Sequence, residues 1–168
     1  MRYFYDTEFI DDGSTIDLIS IGIVAEDGTE YYAVSSDFNI RKALAHPWLP
    51  DNVLAYLPMT DGGKLDFTHP SVKPRSYICK EVSEFLHSTG TELWAYYSAY
   101  DHVALAQLFG SMVNLPKHIP MRTKDLADLI DAHDAWGFLP SYGGTRHHAL
   151  DDAREVKMRY DFLMNRSK

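Results

Sequence analysis

Two apolar runs, Asp17–Ala25 and Glu30–Ser35, are separated only by Glu26-Asp27-Gly28-Thr29. Asp-Gly between strand-like runs is a strong hairpin signal, because both residues tolerate the positive φ of a tight turn. Ahead of them, Arg2–Phe9 alternates in the manner of a half-buried strand. These three segments predict antiparallel strands joined by short turns, a sheet against which the rest of the chain has to pack. Beyond Ser35 the periodicity changes. Short helical pieces between Arg41 and Tyr56 are interrupted by Pro47 and Pro50, and Leu57–Lys73 is a Pro-, Gly- and Asp-containing loop without usable periodicity. Arg75–Ser88 reads as a helix, with Ile78, Val82, Phe85 and Leu86 on one face. Glu92–Ser98 reads as a strand and Asp101–Phe109 as a helix that Gly110 can stop. Thr123 is placed to cap a helix carrying Leu126, Leu129, Ile130 and His133, with a short strand before it near Ile119–Met121. A loop, Gly137–Arg146, leads to a last helix from about His148 to Asn165, with Ala149, Ala153, Val156, Tyr160, Leu163 and Met164 facing inward. The order β-β-β-α-β-α-α-α, without repeat or linker, predicts one α/β domain over residues 1–168, a mixed sheet flanked by helices.

Composition narrows the class. The 168 residues are 45% hydrophobic and 24% charged, which excludes a disordered or collagen-like chain. The longest uncharged apolar run, Leu18–Ala25, is far shorter than the roughly 20 residues that cross a bilayer, so no membrane partner is expected. Asp6, Glu8, Asp11 and Asp12 interrupt any N-terminal signal segment, and the single cysteine, Cys79, excludes an internal disulfide framework; both fit a cytoplasmic protein. The net charge of −8 lies wholly in residues 1–37, which hold one basic residue against nine acidic ones. Such a balance argues against coating nucleic acid by counterion release. It leaves room for an enzyme that holds phosphates through metal ions.

Asp6 and Glu8, two residues apart on the first strand, leave the same face. Isolated Asp-x-Glu pairs are commonly solvated strand faces, but carboxylates this close also suit Mg²⁺ or Mn²⁺. Asp101 follows the apolar strand Leu93-Trp94-Ala95-Tyr96-Tyr97. There it serves either as a helix cap or as a functional group just beyond the carboxyl end of a strand. His147 and Asp152, five apart, sit about 140° from each other on an ideal helix. They reach one site only if His147 lies on the preceding loop and Asp152 on the first turns of the helix. Tyr142-Gly143-Gly144-Thr145 supplies a flexible approach to His147. The alternative is a solvated helix start whose Asp151 and Asp152 favour the helix dipole.

Taken together, Asp-x-Glu at the start, an Asp after a later strand, and His-x-Ala-Leu-x-Asp-Ala opening the last helix resemble the DEDDh exonucleases of the RNase H-like fold. The resemblance runs from Asp6 to Ala153 in the expected order. The one-domain length and the opening Asp6-Thr7-Glu8-Phe9 are most similar to the RNase AS type, the mycobacterial polyadenylate-specific 3′-exoribonucleases; RNase T and oligoribonuclease are more distant. Phe9 stands where most of the superfamily has Thr or Ser after the Glu. The resemblance implies that Asp6, Glu8, Asp101 and Asp152 hold two Mg²⁺ ions, replaceable by Mn²⁺, whose charge the four carboxylates balance. It implies that His147 is the general base, with His148 the competing candidate, and that 5′-nucleoside monophosphates leave single-stranded RNA 3′ ends rich in adenylate. Thr7, Glu8, Phe9 and His147 are the expected substrate contacts, with Trp136 a weaker candidate for base stacking. Arg146, Arg154, Lys157 and Arg159 are candidates for attracting phosphates. Pairing as a homodimer follows from RNase T-like relatives, and the Leu57–Lys73 loop is a candidate interface. Rival readings are a DNA or short-oligonucleotide exonuclease of the same superfamily, and a non-catalytic nucleic-acid-binding module on this fold. An HD-type phosphohydrolase built on His133-Asp134 lacks the surrounding ligand pattern.

Overall fold

The computed structural model describes residues 1–166. The three N-terminal strands form as expected: β1 (Arg2–Asp11), β2 (Ile16–Ala25) and β3 (Glu30–Ser35), with β2 antiparallel to both neighbours. Gly28 turns the β2–β3 hairpin at φ +90°, while the Asp27 carboxylate accepts the Thr29 amide and hydroxyl. Two short helices follow, α1 (Ile40–Ala45), capped by the Asn39 side chain, and α2 (Leu49–Asn52). The Leu57–Lys73 segment is not wholly irregular. Met59 and Leu65 form a bridge, and Val72–Lys73 (β4) adds in parallel to β3. Leu57, Leu65 and Val72 are buried with Ile19, Val34 and Phe38, so these three side chains close a core of the chain itself, while Phe67 stays exposed.

The remaining elements are α3 (Arg75–Phe85), β5 (Glu92–Ala95), α4 (Ala99–Leu108), β6 (Lys124–Asp125), α5 (Leu126–Ala132) and α6 (Ala149–Arg166). The sheet order is β4-β3-β2-β1-β5-β6, with β5 parallel to β1 and β6 parallel to β5. This is the expected mixed α/β sheet flanked by helices. Tyr3 and Tyr5 of β1 pack with Ile78, Val82 and Leu105 from α3 and α4 on one face. Phe4 packs with Leu126, Ile130, Val156 and Leu163 from α5 and α6 on the other. Cys79 is half-buried. Among the described residues, no helix is long and apolar enough to cross a membrane.

Four local expectations are corrected. The strand expected near Ile119–Met121 lies instead at Lys124–Asp125, where it pairs with β5. Thr123 does not cap α5; Asp125 does, accepting the Ala127 amide. The Thr123 hydroxyl bridges the Tyr5 hydroxyl at 2.6 Å and the His102 ring at 3.0 Å. Strand β5 ends at Ala95 rather than Ser98, because the Asp125 carboxylate accepts the amides of Tyr97 and Ser98 and bends the chain through Tyr97 at φ +56°. Met164 is 40% exposed, since the inward stripe of α6 ends at Leu163.

Two features of β1 and β2 place everything that follows. Asp6 faces Gly22 across the ladder, so both belong to one face of the sheet. A Cβ on Gly22 would lie 2.3 Å from the Leu150 amide nitrogen and 2.4 Å from the Ala149 carbonyl carbon. The missing side chain is therefore what lets the start of α6 touch the sheet beside Asp6. Further along, Glu8 faces Ser20 but Phe9 faces Leu18, leaving Ile19 as an extra residue that bends the ladder. Gly22→Ala should destabilise the protein by about 1–3 kcal/mol through overpacking against rigid backbone. For a chain of this length that is a fall in melting temperature of about 2–4 °C per kcal/mol. Thermal unfolding followed by circular dichroism measures it, and an unchanged melting temperature would contradict the close approach.

Candidate active site

Strand β5 runs beside β1 only as far as Phe4, so the stretch of β1 carrying Asp6 and Glu8 lies open on that side. A crevice beyond the carboxyl end of a parallel strand is where open α/β sheets place functional groups. The opening is partly filled from α4. Asp101, 5% exposed, accepts both the Thr7 amide at 2.8 Å and the Thr7 hydroxyl at 2.6 Å through Oδ1. Asp101 thus takes the hydrogen bond that a neighbouring strand would have taken. It is not the helix cap, because α4 begins at Ala99 with Ser98 at the cap position. Thr7, 4% exposed, donates both its hydroxyl and its amide to Asp101 and lines the cavity that the acids share.

From the other side, α6 brings Asp152. His147 lies just before the helix, at φ +60°, and its amide donates to Asp152 Oδ2 at 2.8 Å. Ligand atoms of Glu8, His147 and Asp152 all lie within 4.8 Å of one another, close enough to share a metal ion. Asp6, Glu8, Asp101, His147 and Asp152 line one cavity of about 600 Å³. His148 points elsewhere. Its ring packs against Tyr32 at 4.6 Å, and burial lowers its affinity for a proton. Of the two histidines only His147 faces the acids.

The electrostatics of the cluster follow first from burial and then, at Asp6 and Glu8, from crowding. Burial, then the charges of Asp101, Glu8 and Asp152, hold the Asp6 carboxyl well above the usual carboxylate range. Burial, then Asp152 and Asp101, push Glu8 up to about 8. Asp101 is raised by burial to about 6 against the opposing pull of its two Thr7 hydrogen bonds. Asp152 is also raised by burial, with the His147 amide opposing. Without a counter-cation the cluster therefore holds protons that such acids normally release by neutral pH. The donor set is all hard oxygen plus one imidazole, a chemistry that fits divalent cations such as Mg²⁺ or Mn²⁺.

The cavity wall also carries aromatic rings. Phe9 lines it as expected, stacked on Tyr100 with ring centres 5.8 Å apart and planes 14° from parallel. Trp48, Tyr96, Tyr97 and Tyr100 line it too, and sequence reasoning missed all four. Trp48 comes from the turn before α2 and meets the His147 ring edge-on at 4.6 Å. Trp136 lies outside the cavity, its indole N–H donating to Asp131. Of the four candidate cations, Arg146 and Arg159 line the cavity. Arg159 is paired with Glu155, Arg154 with Glu30 and Asp151, and Lys157 with Asp161.

An acid whose folded-state pKa is raised favours folding at low pH, and that benefit is lost as pH climbs through the folded-state value. For Glu8 the window runs from about 4.5 to about 8. In EDTA, Glu8→Gln should therefore raise the melting temperature at pH 8 and change it much less at pH 5. Thermal unfolding across pH checks this, and a variant equally or less stable than the parent at pH 8 would contradict the crowding.

Comparison with known proteins agrees with this architecture. The family model for the Rv2179c-like 3′-5′ exoribonuclease domain matches residues 1–164. The 3′-5′ exoribonuclease Rv2179c of Mycobacterium tuberculosis strain H37Rv is 45% identical over 166 residues, covering 97% of this chain and 93% of the relative. The 3′-5′ exoribonuclease MT2234.1 of strain CDC 1551 matches with the same identity and coverage. Among solved structures, a moderately thermophilic Exonuclease I from Methylocaldum szegediense superposes with a TM-score of 0.63 at 14% identity. It covers 99% of this chain, which spans only 40% of that longer chain, and the likeness bears on the fold alone. The six-stranded mixed sheet is the RNase H-like exonuclease fold. On the family match over nearly its whole length, the chain belongs to the Rv2179c-like 3′-5′ exoribonuclease family.

Proposed function

We propose that this protein is a divalent-metal-dependent 3′-5′ exoribonuclease that removes 5′-nucleoside monophosphates from single-stranded, adenylate-rich RNA ends. The observation that carries the reading is the convergence of four carboxylates and one histidine, from β1, α4, α6 and the loop before it, on a single cavity. Crowded carboxylic acids of this kind cost stability, and a purely structural or non-catalytic module gains nothing from them. Family membership supports RNA as the substrate. The adenylate preference rests on the resemblance to polyadenylate-specific enzymes, and a homodimer on the resemblance to RNase T-like relatives.

In this reading Asp6, Glu8, Asp101 and Asp152 hold two Mg²⁺ or Mn²⁺ ions. When bound, the ions neutralise the acids and stabilise charge on the attacking and leaving oxygens of an in-line displacement. The chain's own groups do the rest. Thr7 fixes the Asp101 carboxylate in its inward pose. The His147 imidazole takes the proton of the attacking water, and its place beside Glu8 and Asp152 puts it at the edge of the acid cluster. Phe9, Tyr97, Tyr100 and Trp48 offer ring faces to unstacked bases at a chain end, each such contact being worth roughly 1–3 kcal/mol. A duplex keeps its bases stacked internally and cannot use those rings. The site therefore suits a single-stranded terminus.

Digestion of a 3′-adenylated RNA, read by product chromatography, tests the reading. With Mg²⁺ or Mn²⁺ the product should be AMP, and EDTA should abolish it. Asp6→Ala and Asp152→Ala should fold and be inactive. His147→Ala should lose turnover by about 10²–10⁴-fold, while His148→Ala stays near the parent. Full activity in EDTA, or His148→Ala as the worse variant, would overturn the assignment. Competition among poly(A), poly(U) and single-stranded DNA decides the substrate preference.

A further inference from the structure

The loop that carries His147 is attached to α6 in an unusual way. Three carboxylates in the first two turns of the helix each accept one main-chain N–H from the loop. Asp152 takes His147 at 2.8 Å, Asp151 Oδ2 takes Thr145 at 2.9 Å, and Glu155 Oε2 takes Tyr142 at 3.2 Å. Asp152 belongs to the proposed metal site. Asp151 does not line that cavity, and the proposed chemistry gives it no part.

Asp151 is itself braced. Its Oδ1 accepts from Arg154 Nη1 at 2.7 Å, and the same guanidinium grips both oxygens of Glu30 on β3. The chain Glu30–Arg154–Asp151–Thr145 therefore ties the loop to the sheet, not only to the helix. The loop lies tightly on this carboxylate. A Cβ on Gly144 would sit 2.8 Å from Asp151 Cγ and 2.8 Å from the Tyr142 ring, so a side chain at 144 would have to displace one of them. Beyond this clamp the backbone enters the left-handed region at His147, a conformation that costs a non-glycine residue about 1–3 kcal/mol and persists only where its surroundings impose it.

We infer that Asp151, braced by Arg154 and Glu30, is a positioning residue: it holds residues 142–147 on α6 and so sets the place of the His147 imidazole for catalysis. This rests on the reading of His147 as the general base. A general base must stand within hydrogen-bond reach of the proton it takes, and a displacement of about 1 Å from a distant change can cost about 10²-fold in rate. The two halves of the clamp also explain the need for a carboxylate at 151. An amide there could accept from Thr145 or from Arg154, but its NH₂ would then face the other donor.

Hydrogen exchange and single-turnover kinetics on the full chain test the inference, using Asp151→Ala and the more distant Glu30→Gln. In both variants the peptide covering 142–147 should exchange faster, by about tenfold in Asp151→Ala, while the body of α6 and the sheet keep their protection. The rate constant on 3′-adenylated RNA should fall by about ten- to a hundredfold, and KM and Mn²⁺ affinity should stay at the parent values. A merely structural role would instead lower global stability and move KM or metal affinity with it. Unchanged exchange in 142–147 in Asp151→Ala overturns the clamp. Faster exchange with an unchanged rate, when His147→Ala is inactive, overturns the positioning role. Full activity of His147→Ala is a different failure: it removes the base assignment, while the exchange data still decide whether Asp151 holds the loop.

Discussion

The cost of burying carboxylates side by side, desolvation first and repulsion second, is the constraint on which this structure turns. Asp6, Glu8, Asp101 and Asp152 come from three separated parts of the chain, yet all line one cavity, and burial raises every one of their carboxyls, Asp6 and Glu8 furthest above the ordinary carboxylate range. Nothing in the cluster's own energy favours bringing them together. The rest of the fold has to supply the force, and its features make sense as means of doing so.

Each acid is delivered by an element that cannot easily retreat. Asp6 and Glu8 are fixed by the central strand, whose even-numbered residues continue the face that begins with buried Phe4. Asp152 is fixed by the close seating of α6, which Gly22 alone permits. Asp101 is held by two hydrogen bonds from Thr7, on the edge of β1 that β5 leaves unpaired. The Asp125 carboxylate in turn bends the chain into α4, so that Asp101 faces inward in its first turn. Core burial on both sheet faces opposes the repulsion, and a divalent cation held there would relieve it. The fold and the proposed chemistry are in this sense one problem.

Much of this was legible in the sequence, and the boundary of legibility has physical causes. The alternation of β1, the Asp-Gly hairpin and the stripe of α6 depend on local periodicity, so they could be read directly. The placement of His147 off the helix followed from the angle that five residues subtend. The two-residue strands Val72–Lys73 and Lys124–Asp125 have no period to detect and exist only through their parallel neighbours β3 and β5. Thr123 and Asp125 are both ordinary cap residues, and only the tertiary partners Tyr5 and His102 draw Thr123 away. Trp48, Tyr96, Tyr97 and Tyr100 were missed because 22 aromatics in one chain look alike until the fold decides which rings face the cavity. The bond from Thr7 to Asp101 spans 94 residues that no local pattern connects.

The central claim is that the acid cluster is built to exchange its protons for divalent cations. Calorimetric titration of the protein with Mn²⁺ at pH 7, in two buffers of different ionisation enthalpy, measures that exchange directly. Metal ligands must deprotonate to bind, so the number of protons released separates a real carboxylate site from surface binding. The account predicts saturable binding of about two ions per chain with net proton release, diminished in Glu8→Gln. Absence of saturable binding, or binding without proton release in the parent protein, would contradict it.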